Sequence, residues 1–171
     1  FSLLIVKASS KGNKNQDILG AGKSFNNFII ASVIGSILGF VLVTQTNSII
    51  TPIFVSIIPL DVLFGFLYVC VAAPFVEANF FRGLLMPTIS KIIIIVFPKF
   101  NITFAGIIGV VVSAVTFAWF HLAVFSGDPT NMFSAILFGI IAGLGVYYFK
   151  SIGFEYGLHF INNFIAFTRL I

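Results

Sequence analysis

Charge is what this sequence has least of. Asp, Glu, Lys and Arg make up 8% of its 171 residues, where a soluble globular domain gives them about a quarter. That shortage excludes a soluble globular fold, and 59% hydrophobic residues with a mean hydropathy of +1.14 point to an integral membrane protein. Cysteine is nearly missing too. Cys70 stands alone in an apolar run, which excludes an intrachain disulfide or a cysteine cluster, leaves the redox compartment open and fits a buried, inert thiol. No P-loop, dinucleotide fingerprint or HExxH occurs, so the best-known phosphate, nucleotide and zinc-protease signatures are excluded. There is no internal repeat and no low-complexity tract.

What is present is a series of apolar runs. The length suits about five or six spans of about 20 residues and no separate soluble domain. The expected architecture is all-α: a polytopic transmembrane helix bundle with a possible re-entrant segment. Residues 1–24 form a polar, lysine-rich segment, and the opening FSLLIV reads as the end of a preceding helix or as a processed start. Residues 25–171 form one membrane-embedded domain. Its first span runs from about Phe25 to Val43 and closes at TQTN. Ile49 to Pro59 carries Pro52 and Pro59 and is too short to cross alone, so it reads as a re-entrant or interfacial piece or as the beginning of the following helix. Asp61 suits a helix start, and a long helix follows to about Phe97, with kinks expected at Pro74 and Pro87. PKFN at Pro98 to Asn101 is a loop. Thr103 to Phe125, Met132 to Phe149 and Phe154 to Ile171 complete the set, with SGDPTN as a loop and Lys150 to Gly153 as a turn.

If the five main runs alternate in direction, Lys7, Lys11, Lys14, Lys23, Lys91, Lys99 and Lys150 fall on one side, which the positive-inside rule makes cytoplasmic. The net charge of +4 is thereby read as topology and not as a nucleic-acid patch. Membrane lipids are the expected surroundings.

Ionisable residues inside spans are costly and usually face the bundle interior. Glu77, Arg82, His121 and His159 are the candidates, and the two histidines are the whole complement of the chain. Residues four apart share a helix face, which pairs Phe117 with His121 in FAWFH and His159 with Asn163 in HFINN. Asn162 points about 100° away and is the weaker candidate. Trp119 lies on another face from the motif residues and reads as packing, as does the abundance of Phe. GIIAG at Gly139 to Gly143, with Gly145, permits close helix approach.

EANFFRG at Glu77 to Gly83, FAWFH at Phe117 to His121 and HFINN at His159 to Asn163, in that order on successive apolar runs, resemble the CPBP group of membrane endopeptidases. That group includes the CAAX prenyl proteases and bacteriocin-processing or immunity proteins, and the resemblance covers about residue 60 to the C-terminus. One departure stands out. The group's first motif, EExxxR, begins with adjacent glutamates, whereas the second position here is Ala78. Arg82 lies four residues from position 78, so its natural same-face partner is missing. Another acceptor is needed, such as Glu77, Asp61, Glu155, a backbone carbonyl or a ligand carboxylate, because an unpaired buried charge is costly.

The resemblance implies that Glu77 and His121 hold and deprotonate a water that attacks a peptide carbonyl, and that His159 and Asn163 stabilise the oxyanion. It gives Arg82 and Phe117 positioning or structural roles and implies no cofactor. The substrate would be a peptide or protein at the membrane, prenylated or not. Two alternatives stand beside this reading. Glu77, His121 and His159 make a possible zinc set with an open position. A catalytically inactive member would instead act as a scaffold, an immunity factor or a subunit among partner membrane proteins.

Overall fold

The computed structural model describes residues 25–46, 59–122 and 129–168, and the segment expected to be re-entrant lies mostly outside them. The described residues form five helices and no strand: α1 (Phe25–Thr46), α2 (residues 59–96), α3 (Ile102–Phe120), α4 (Pro129–Phe149) and α5 (Gly153–Thr168). Four of these elements are long and apolar enough to cross a membrane, while α5, at 16 residues, is shorter than a usual span.

α1 packs along α5 by bringing backbones together. In lipid no hydrophobic drive pushes helices onto each other, so close backbone approach supplies the packing energy. A side-chain carbon at Gly157 would strike the Ser32 carbonyl, and one at Gly35 would strike the carbonyl of Phe154. Ser36 adds a hydrogen bond of 3.2 Å to the Gly157 carbonyl. On the next interface the expected GIIAG stripe does the same: carbons added at Gly139 and Gly143 would lie 2.9 Å from Ala114 and Val110 of α3.

α2 departs from a regular helix, and proline explains where. Its apolar stretch of 35 residues measures about 52 Å at 1.5 Å per residue, well beyond a hydrocarbon core of about 30 Å, so it crosses tilted or projects past the core. Leu67–Ala72 and Ala78–Leu85 are π-helical, and each ends two residues before a proline, Pro74 or Pro87. A proline has no N–H for the carbonyl four residues back and crowds that carbonyl. The chain answers by widening the turn to i→i+5 bonds: Ala73 N–H donates to the Tyr68 carbonyl and Met86 N–H to that of Phe81. The expected prolyl disturbances therefore take the form of π-turns.

The other boundaries follow from local chemistry. α2 begins at Pro59, ahead of Asp61. Asn101 caps α3 by accepting from Phe104 N–H at 2.8 Å, which is worth about 1 kcal/mol. α3 ends at Phe120, not Phe125, with His121 leaving helical geometry at φ −90° and ψ 3°. α4 starts at Pro129, three residues before Met132, as suits a proline at the first helical position. Lys150 turns the chain into α5 with a φ of 54° and lays its ammonium over the Tyr147 ring at 4.0 Å.

Candidate active site

Glu77 ends a short α-helical stretch between the two π-turns of α2, His121 closes α3, and His159 lies in the second turn of α5. Three helices thus bring one carboxylate oxygen to two imidazoles. Glu77 Oε2 is 3.7 Å from His121 Nε2 and 3.7 Å from His159 Nδ1. Both separations exceed a direct hydrogen bond, and among the described residues neither Glu77 Oε2 nor His159 Nδ1 has a hydrogen-bond partner. Glu77 and His121 keep about a fifth of their side-chain surface accessible, at 22% and 20%, whereas His159 is nearly sealed at 8%. Among the described residues, no group of three His, Cys, Asp or Glu side chains is disposed to hold a metal ion.

The motif FAWFH works through its spacing. His121 Nδ1 lies 2.8 Å from the carbonyl of Phe117, four residues back, and a carbonyl only accepts, so Nδ1 carries the proton there. In the neutral ring Nε2 is then an acceptor, and it faces Glu77. The Phe117 ring supports both imidazoles, at centroid distances of 4.3 Å from His121 and 5.9 Å from His159. Phe138 of α4 closes on His159 edgewise at 5.2 Å. Trp119 points away and is 67% exposed, as its helix face predicts.

Arg82 is fully buried behind these groups. Five residues from Glu77 would be about 140° away on an ideal α-helix, but the π-turn carries the chain between them. Arg82 Nη2 donates to the Gly139 carbonyl at 3.1 Å and lies 3.4 Å from Glu155 Oε1 as an ion pair, while among the described residues Arg82 Nε and Nη1 and both Glu155 oxygens make no hydrogen bond. Its guanidinium carbon lies 5.5 Å from the Phe117 ring centre and 5.8 Å from that of Phe81. Asn163, the other half of HFINN, donates at 2.8 Å to the carbonyl of Val69 in the first π-turn and accepts from Asn162 at 3.3 Å. One of its two amide protons is thus committed to α2, and the second remains for another acceptor.

Sequence reasoning had Glu155 only as one of several partners for Arg82 and did not find Phe138 or the Val69 carbonyl. The signal for Glu155 was its spacing, since Glu155, His159 and Asn163 recur at four-residue intervals on one face of α5.

An apolar bundle of helices with a carboxylate and two imidazoles gathered inside it defines an integral membrane protein with a built polar centre. Over residues 59–165, more than half its length, the chain matches the type II CAAX prenyl endopeptidase Rce1-like family and belongs to it. This places it in a family of membrane proteases, within the CPBP group that its three motifs resemble. No curated protein and no solved structure matches the chain.

Proposed function

We propose that the chain is a metal-free, glutamate-dependent intramembrane endopeptidase acting on a peptide segment at or within the bilayer. The observation that carries this reading is the equal 3.7 Å approach of both imidazoles to Glu77 Oε2. A water seated beside these groups gives one proton toward Glu77 and is oriented by His121 Nε2. Its oxygen attacks the peptide carbonyl while Glu77 takes the proton. His159, nearly sealed from solvent, donates to the oxyanion where a low dielectric makes such a bond strong, and the second amide proton of Asn163 is the further donor. Collapse of the tetrahedral species breaks the C–N bond, and the proton held by Glu77 passes to the leaving amine. The apolar surroundings suit a membrane-associated or prenylated peptide.

Lys91 lies in the last turns of α2, Lys99 in the α2–α3 loop and Lys150 in the α4–α5 turn, all toward the same end of the bundle. We place that end in the cytoplasm by the positive-inside rule.

The test is cleavage of prenylated and unprenylated peptides by the reconstituted protein, with its metal content measured alongside. Cleavage by the native chain that Glu77→Gln and His121→Ala both remove, without stoichiometric zinc, is the expected result. Stoichiometric zinc with activity lost to chelator would sink the metal-free mechanism. A folded native chain that cleaves nothing would favour the catalytically inactive scaffold.

A further inference from the structure

Glu155 belongs to none of the three motifs, yet it is wholly buried and ion-paired with an equally buried arginine. A buried guanidinium needs an anion, because removal of either partner of such a pair strands the other charge. Among the described residues α2 places no carboxylate within ion-pair distance of it. Glu77 turns its Oε2 to the imidazoles, and the residue one turn before Arg82 is Ala78, itself buried.

Glu155 reaches Arg82 from α5, on the helix face that also carries His159 one turn later. The pair therefore ties the helix of Glu77 to the helix of His159 directly behind the site. Its cation also rests against the ring of Phe117, whose carbonyl holds His121. One charge pair thus backs the supports of both imidazoles.

We propose that Glu155 is a positioning residue of the site: it supplies from α5 the counter-charge for Arg82 that α2 lacks at Ala78, and so holds His159, and through Phe117 also His121, against Glu77. Positions 78 and 155 are then alternative seats for one negative charge. In its activity arm this inference rests on the endopeptidase reading above.

The experiment compares the native chain with Glu155→Gln, with Glu155→Gln combined with Ala78→Glu, and with Glu155→Gln combined with Arg82→Met, all reconstituted and counted per folded molecule. Glu155→Gln is expected to lower kcat about 100-fold with KM nearly unchanged, the size of effect that a small misplacement of catalytic groups produces. Adding Ala78→Glu is expected to recover about tenfold of that loss, which a merely structural role would not give. Native kcat in folded Glu155→Gln would overturn the proposal. If the single variant fails to fold, the Arg82→Met combination removes both charges and the imbalance with them; low kcat in that folded protein supports positioning, and native kcat refutes it.

A second readout does not depend on cleavage. The chain has two histidines, so nitrogen-15 imidazole spectra carry two sets of signals. Both sets are expected to move in Glu155→Gln and to return with Ala78→Glu. Unmoved signals would overturn the proposal, and shifted, restored signals in a native chain that cleaves nothing would uphold it while the endopeptidase reading falls.

Discussion

The same two helices build two polar sets with opposite access to solvent. Glu77 and His159 join His121 in a group that keeps up to 22% of its side-chain surface open, while Arg82 and Glu155, one turn along α2 and α5, keep none. The open set gathers groups 3.7 Å apart that solvent still reaches; the closed pair is shut away, joined by an ion pair of 3.4 Å, with Arg82 also donating to the Gly139 carbonyl. On the reading proposed above, chemistry belongs to the first set and alignment to the second. Charge in a membrane interior does not by itself mark a reactive group.

The comparison breaks most sharply at Glu77. Glu77→Gln keeps the shape and removes the base, and is expected to lower kcat by about 10³- to 10⁴-fold at unchanged thermal stability, measured as peptide cleavage beside a melting curve. An equal fall in stability would show Glu77 to belong with the closed pair. Arg82→Met is expected to act on the fold as well as on kcat, destabilising it by about 3–5 kcal/mol because Glu155 is left buried and unpaired, as read by denaturant or thermal unfolding in detergent. A stability change under about 1 kcal/mol would mean that the closed pair contributes little to the fold.

Smaller effects sharpen the contrast. Gly157→Ala should cost about 1–3 kcal/mol of stability by forcing α1 off α5, with activity per folded molecule falling only as far as α5 shifts. Asn163→Ala strands the Val69 carbonyl and should cost about 1–3 kcal/mol; a kcat loss beyond that fold defect would add the proposed oxyanion role. Trp119→Leu, beside His121 in sequence but turned to the lipid side, is expected to change stability by less than about 0.5 kcal/mol and to leave cleavage unaltered.

How much of this was legible in the sequence depended on the range of the signal. Helices α1, α3 and α4 announce themselves by apolar length, and His121 and His159 by being ionisable residues within such runs. The partner of Arg82 was not decidable, because Glu155 lies 73 residues away (155 − 82) and its pairing depends on tertiary packing. Ideal α-helical spacing also misplaces Arg82 relative to Glu77. Pro74 and Pro87 signalled a disturbance in α2, but not that it would be absorbed as wider turns. The helix end at His121 was missed because nothing apolar changes there. Hydropathy sees continuity where the backbone turns off.

The π-turns of α2 have a genetic meaning. A turn closed by i→i+5 bonds holds one residue more than its α-helical equivalent, so the stretch between Ala78 and Leu85 behaves as a tolerated insertion. Deleting one residue between Glu77 and Arg82 would let the helix continue in regular form with Arg82 still about 40° from Glu77, whereas a regular helix that kept all its residues would put Arg82 about 140° away. Straightening the turn without that deletion is what would swing Arg82 away from Glu155 while the span kept its hydropathy. For this part of the molecule the match between residue count and turn width, more than the identity of the lipid-facing residues, decides which side chains look into the bundle.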